Sequence, residues 1–379
     1  MMLKIYIFLF TLLSPCVIYS QIKVTFRFKD IATSKDSSAT YFMAGNFNNW
    51  QPNDGAFAFK KVGGIDFELA ENLPAGRYEY KITRGSWAKV ESGENGNALA
   101  NRSFNLTRDT IINITVLNWA DEFKQIPPKH TASANVKIMD SLFNIPQLDK
   151  KRRIWIYLPP SYQKSDRHYP VIYMQDGQNL FDVVTSGFGE WKIDEILDSL
   201  YAEGGKECII VGIDHGGNDR LKEYNPYDSK YGEGEGKKYT EFLVKTLKPY
   251  VDKHYRTKSS AKNTSVAGSS MGGLISMYAI ANYPKVFGNA GVFSPAFWIA
   301  EQFGSDLKKL KPNLKSNKIY FVAGNLESKN MISDMENIYQ IVEPIAKNKN
   351  LKLIRKEDGE HKEWFWNREF LDFYKFIVN

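Results

Sequence analysis

The stretch Gly268-Ser269-Ser270-Met271-Gly272-Gly273 sets the fold class of this chain. Ser265-Val266-Ala267 before it reads as a buried strand. Gly273 to Asn282 after it reads as a helix, stopped by Pro284. A G-x-S-x-G run between a strand and a helix is the setting of a nucleophile elbow. The sharp turn strains the serine, and glycines must flank it where side chains would collide. The helix N-terminus behind the turn offers N–H groups and partial positive charge to a developing oxyanion. Ser270 is therefore the candidate nucleophile, and the Met271 amide the candidate first oxyanion donor.

A serine at such an elbow needs a base, and in this chain order the base follows the acid, which follows the serine. Of five histidines, His130, His168, His215 and His254 precede Ser270, and only His361 follows it. It stands in Asp358-Gly-Glu-His361, between a strand over Leu351–Ile354 and a C-terminal helix. The acid belongs in a loop after a later strand. Ile319 to Ala323 is that strand, and Gly324-Asn-Leu-Glu327 is its loop, which makes Glu327 the first choice. Asp334 is the alternative, although Met331, Met335 and Ile338 around it read as a helix face where it could serve as a cap. A second oxyanion amide is expected from the loop after the apolar strand Val171–Met174. Gly177 there permits close backbone approach, and the Gln178 N–H is the candidate.

Working outward, residues 136–379 alternate strand and helix. Ile154, Ile156 and Leu158 alternate at period two, Cys208 to Ile213 is a short apolar run, and Lys237 to His254 is amphipathic at helical spacing. That grammar gives a mostly parallel sheet with helices on both faces. Residues 21–120 are different, with strands such as Val24/Phe26/Phe28 and Tyr78/Tyr80/Ile82 between Asn-, Pro- and Gly-rich turns. Short strands at this spacing imply a β-sandwich. Residues 121–135, with Pro127-Pro128, read as a linker.

Two resemblances follow. Tyr41-Phe-Met-Ala-Gly-Asn-Phe-Asn-Asn-Trp50, with Pro74-Ala-Gly-Arg-Tyr-Glu-Tyr-Lys81, resembles the immunoglobulin-like glycan-binding modules related to the glycogen-binding domain of the AMP-activated kinase. A sugar site of that type wants flat aromatic faces and nearby polar groups. The resemblance implies Trp50 and Trp87 for the first role, and Lys81, Arg84 and Asn101 for the second. The second half is similar to the α/β-hydrolase esterase family that includes feruloyl, acetylxylan and enterobactin-type siderophore esterases. The matching blocks are Tyr173-Met-Gln-Asp-Gly-Gln-Asn-Leu-Phe-Asp182, Gly212-Ile-Asp214 with Arg220 and Glu223-Tyr224, Ala267 to Gly273, Ser294-Pro-Ala-Phe-Trp298 and Asp358 to His361. Its nucleophile and base fall on Ser270 and His361. Its acid falls on Glu327, where many members carry Asp. This fold builds its pocket at the C-terminal ends of the strands, so Phe181, Trp191, Trp298 and Trp364 are the expected pocket aromatics, Trp298 foremost.

Composition excludes other classes. The 379 residues are 43% hydrophobic and 25% charged, which argues against wholesale disorder. Two cysteines, Cys16 and Cys208, cannot build a disulfide scaffold or a cysteine zinc site. The net charge of +7 comes from scattered lysines, and the one dense run, Lys150 to Arg153, reads as a solvated edge at a strand start without a nucleic-acid module. Gly232-Glu-Gly-Glu-Gly236-Lys237 lacks the spacing of a phosphate-binding loop. Residues 1–20 read as a signal peptide: Lys4, an apolar run from Ile5 to Leu13 too short to span a bilayer, and a small residue, Ser20, before the cleavage point. Pro15 directly before Cys16 fits lipid attachment poorly. The expected protein is exported, periplasmic or secreted, without a membrane span, metal or cofactor. Its expected activity is serine ester hydrolysis on a feruloylated or acetylated plant polysaccharide such as xylan. A siderophore trilactone esterase is the alternative, and a non-catalytic glycan-binding protein the second.

Overall fold

The computed structural model describes residues 21–30, 39–64, 66–123, 129–229 and 232–378. The signal peptide read over residues 1–20 lies outside them, as does the middle of the linker, 124–128. The chain divides into two units, Met1–Pro127 and Pro128–Asn379. Among the described residues no helix is long and apolar enough to cross a membrane.

The first unit is β-rich. One sheet runs in the order Lys60–Gly63, Asp66–Pro74, Gln21–Asp30, Thr110–Val116, and a second in the order Phe42–Gly45, Gly76–Thr83, Arg102–Leu106. Period-two alternation puts Val24, Phe26 and Phe28 of one sheet into a single core with Met43, Tyr80, Ile82 and Leu106 of the other. Trp119 fills that core with no exposure and stands edge-on to Phe28.

The second unit is built on a mixed eight-stranded sheet. Its order is Val136–Ile145, Lys150–Tyr157, Ile209–Ile213, Val171–Gln175, Thr264–Ser269, Asn289–Phe293, Lys318–Gly324, Leu351–Lys356. Lys150–Tyr157 is antiparallel to both its neighbours, and the six strands from Ile209–Ile213 onward run parallel to one another. The central parallel strands are buried throughout, as strands covered on both faces must be. One face packs the helix Met271–Asn282 through Leu274 and Ile275, and the helix Met331–Val342 through Met335 and Ile338. The other face packs Ile193–Ala202 and Glu363–Val378 through Leu197, Phe370 and Phe373.

Three details differ from the sequence expectations. The helix expected over 237–254 contains a π-turn at Leu243–Leu247. Pro249, just beyond it, has no N–H to continue the regular ladder. The basic run is not a solvated edge: Arg152 donates to both oxygens of the fully buried Glu223 at 2.7 Å, and Arg153 to Asp214 at 2.8 Å. Residues 129–135, read as linker, are bonded to the loop and helix that follow Phe181. Thr131 Oγ1 donates to Glu190 at 2.9 Å, Ser133 N–H to Asp194 at 2.7 Å and Asn135 Nδ2 to Asp198 at 2.8 Å. Cys208 is buried, and burial pushes its thiol up to about 12.

Candidate active site

The elbow forms where the strand Thr264–Ser269 meets the helix Met271–Asn282. Ser270 between them adopts φ 57° and ψ −119°, a region that residues with side chains rarely occupy. Its surroundings over-determine that conformation. Ser270 N–H donates to Phe293 O at 2.9 Å, and Ser270 O accepts from Leu274 N–H at 3.1 Å and Ala296 N–H at 3.0 Å. Gly268 is required by space: a Cβ there would lie 2.8 Å from Gln175 Cγ and 2.9 Å from the Gly272 carbonyl carbon. Met271 is the first residue of the helix, so its N–H has no acceptor in the preceding turn.

Ser270 and His361 line one cleft of about 420 Å³, together with Asp176, Arg220, Phe188 and Glu363. Glu327 lies behind His361 with no exposure of its side chain. His361 Nδ1 is 2.6 Å from Glu327 Oε2, which leaves Nε2 as the nitrogen for the cleft. The other carboxylate oxygen, Oε1, accepts from Ser294 Oγ and from Gly324 N–H, each at 2.7 Å. Ser294 Oγ in turn accepts from the Trp366 indole at 2.8 Å, and the Trp366 ring meets His361 edge-on at 5.1 Å. Three donors hold this buried carboxylate fixed in direction. The loops bearing acid and histidine are joined by Leu326 N–H to Gly359 O at 3.0 Å. They approach so closely there that a Cβ on Gly324 would lie 2.1 Å from that oxygen.

Asp334 is not part of this arrangement. It sits in the first turn of Met331–Val342, where burial raises its carboxyl above the usual range, and the cap position belongs to Asn330. Gln178 lies in a short turn, Gly177–Asn179; Asp176 before the turn and Asn179 at its end line the cleft. Its side-chain oxygen accepts from His215 N–H at 3.2 Å.

The expected pocket aromatics are elsewhere. Phe181 and Trp191 are buried in the apolar layer beneath Glu363–Val378, with Trp191 edge-on to Phe293 at 5.2 Å. Trp298 and Trp364 are 46% and 41% exposed, and neither lines the cleft. The ring of Trp364 faces the Arg368 guanidinium at 5.2 Å. Spacing alone cannot tell a tryptophan that fills the core from one that faces a pocket. The cleft's aromatics are Phe188 and Trp366, and sequence reasoning passed over both as cleft residues.

It also assigned no role to Asp176 and Arg220, although both stand in the quoted blocks. Arg220 donates to both oxygens of Asp176 at 2.7 and 2.8 Å, and to Ser269 O at 3.5 Å beside the nucleophile. Asp176 itself has φ 57°. His215 also lines the cleft; its Nδ1 accepts from Gly217 N–H at 2.8 Å, and burial holds the ring below its usual range.

In the first unit, Trp50 and Trp87 come together with ring centroids 6.3 Å apart, and Trp87 is 44% exposed. The polar candidates have internal partners. Arg84 is paired with Asp121 and Glu122 and lies over the Trp119 ring, Lys81 donates to the carbonyls of Leu99 and Ala100, and Asn101 donates to Glu79 at 3.4 Å.

The sheet order and its covering helices give the second unit an α/β-hydrolase-like fold. The chain belongs to the esterase family described as "Putative esterase", which matches residues 145–374, and is by family a carboxylic ester hydrolase. Residues 40–115 match the pullulanase X25 domain. The protein YbbA of Bacillus subtilis is 30% identical over 159 residues, which cover 39% of this chain and 58% of that one. An endo-1,4-beta-xylanase/feruloyl esterase of Xylanibacter ruminicola is 29% identical over 160 residues, covering 41% of this chain and 21% of its own length. The enterobactin esterase of Shigella flexneri shares the fold with a TM-score of 0.55 at 16% identity, over 95% of both chains.

Proposed function

We propose that this protein is a serine esterase that removes feruloyl or acetyl groups from a plant polysaccharide such as xylan. The observation that carries the reading is the line from Ser270 and His361 in one cleft to the buried Glu327. His361 Nε2 takes the Ser270 proton as Oγ attacks the ester carbonyl. Glu327 keeps the imidazole oriented and offsets its positive charge. The Met271 and Gln178 amides receive the oxyanion. Collapse breaks the ester C–O bond, the alcohol leaves with the proton from His361, and water, activated by the same base, releases the acid.

The polysaccharide follows from the N-terminal unit, read as an immunoglobulin-like sandwich with Trp50 and Trp87 as a sugar platform, and from the likeness to a xylanase/feruloyl esterase. Export fits a polymer that cannot enter the cell. The domain limits proposed are 21–120 for the sandwich and 136–379 for the esterase. Cleavage of a siderophore trilactone is the second reading, favoured by the fold shared with enterobactin esterase over both units. Family membership weighs against a non-catalytic glycan binder. A panel of aryl acetate, methyl ferulate, acetylated xylan and a catecholate trilactone tests the proposal. Feruloyl or acetyl release is the expected result. Cleavage of the trilactone alone would transfer the protein to the second reading, and inactivity on all four would sink both.

A further inference from the structure

Phe188 is 84% exposed, more than any other large apolar side chain among the described residues. Single exposed apolar residues are ordinary on protein surfaces. This one lines the cleft that holds Ser270 and His361.

Its loop is held in place. Thr185 Oγ1 donates to Gln178 O at 2.7 Å, Ser186 Oγ to Asp182 O at 2.8 Å, and Trp191 N–H to Asn179 O at 2.8 Å. Gly187 and Gly189 flank the phenylalanine. Gly189 has φ 125°, and a Cβ there would lie 3.2 Å from Glu363 Cβ. Glu363 is two residues beyond His361 and opens the last helix, so the Phe188 loop rests on the segment that carries the base. The backbone is anchored on both sides while the ring stays in water. An apolar ring fixed at the mouth of a polar cleft gains contact only when something flat covers it.

We propose that Phe188 is a specificity-determining residue, whose ring stacks on a planar aromatic acyl group of the ester. The inference rests on the esterase reading above and names the acyl class that reading leaves open. It replaces Trp298 in the role expected from the sequence. Stacking of this kind is present in the bound ester and in the transition state alike, so its loss raises KM more than it lowers kcat.

The test compares kcat/KM for methyl ferulate and for methyl butyrate in the wild type, Phe188→Ala and Phe188→Tyr. Phe188→Ala should lower the ferulate-to-butyrate ratio of kcat/KM roughly tenfold, mainly through the KM for ferulate. Phe188→Tyr should keep most of the ferulate activity. Equal losses on the two esters, or no loss on ferulate, would overturn the inference. A wild type active on butyrate but idle on ferulate would overturn it alone and leave the esterase reading standing. A wild type idle on both would overturn the inference, and inactivity on aryl acetate and acetylated xylan as well would bring down the esterase reading with it.

Discussion

The two units use their functional candidates in opposite ways. In the esterase unit the candidate groups are fixed from several sides. Ser270 is held at a positive φ by three backbone hydrogen bonds, and the Glu327 carboxylate has three donors. In the N-terminal unit the polar candidates Lys81, Arg84 and Asn101 are bonded within the unit, and the Trp50–Trp87 pair carries the sugar reading. Chemistry on a covalent bond needs groups placed to a fraction of an ångström. Sugar binding needs mainly an apolar face, which a tryptophan pair can offer without a polar network.

That contrast can be broken most severely at the elbow. Ser270→Ala or His361→Ala should lower kcat on an activated ester by roughly 10³-fold or more, with folding unchanged by circular dichroism. Wild-type turnover in either variant would remove the basis of the comparison. Glu327→Gln should cost less than either, while Asp334→Asn should leave kcat near the wild-type value. Ser294→Ala removes one donor to the carboxylate and should lower kcat roughly tenfold, the scale of a single charge-assisted hydrogen bond. In the N-terminal unit, Trp50→Ala or Trp87→Ala should weaken retention on xylan or glucan gels by roughly tenfold per ring and leave kcat on small esters untouched. Equal retention of wild type and variants would make the pair a packing feature.

The smallest effect concerns stability. Asp194 is fully buried beside Glu190 and Glu195, with carboxylate oxygens within 4.8 Å of one another. Burial first, and the Glu195 carboxyl next, raise its carboxyl to about 7. The folded state therefore holds this proton more tightly than the unfolded chain. The associated stability is complete below the unfolded value of 3.8, falls as pH rises, and is lost by about 7. Asp194→Asn should thus raise Tm by about 2–4 °C at pH 8 and by progressively less toward pH 4. A Tm increase independent of pH would show that the carboxylates are not in tension.

Much of the catalytic end was legible because its geometry constrains residue type. The elbow demands glycine at 268 and 272, and chain order leaves one histidine after it. The alternation of buried strands with amphipathic helices gave the sheet and its two covered faces. The pocket wall was not legible. Trp191 and Phe181 have the same composition signal whether they face the core or the cleft, and only the packing against Phe293 and Trp155 separates the cases. Arg152 and Glu223 are 71 residues apart in sequence, so no local pattern shows that a basic run closes on a buried glutamate. Ser294 was visible as part of a motif, but its bond to Glu327 depends on two loops meeting in space.

The central claim is that Ser270 is a nucleophile activated through His361. Its most direct test is intact-mass measurement after brief exposure to a fluorophosphonate ester, followed by peptide mapping. The account predicts one adduct per chain, on the peptide containing Ser270, absent in Ser270→Ala and formed far more slowly in His361→Ala. An adduct on another residue, or labelling of His361→Ala at the wild-type rate, would contradict it.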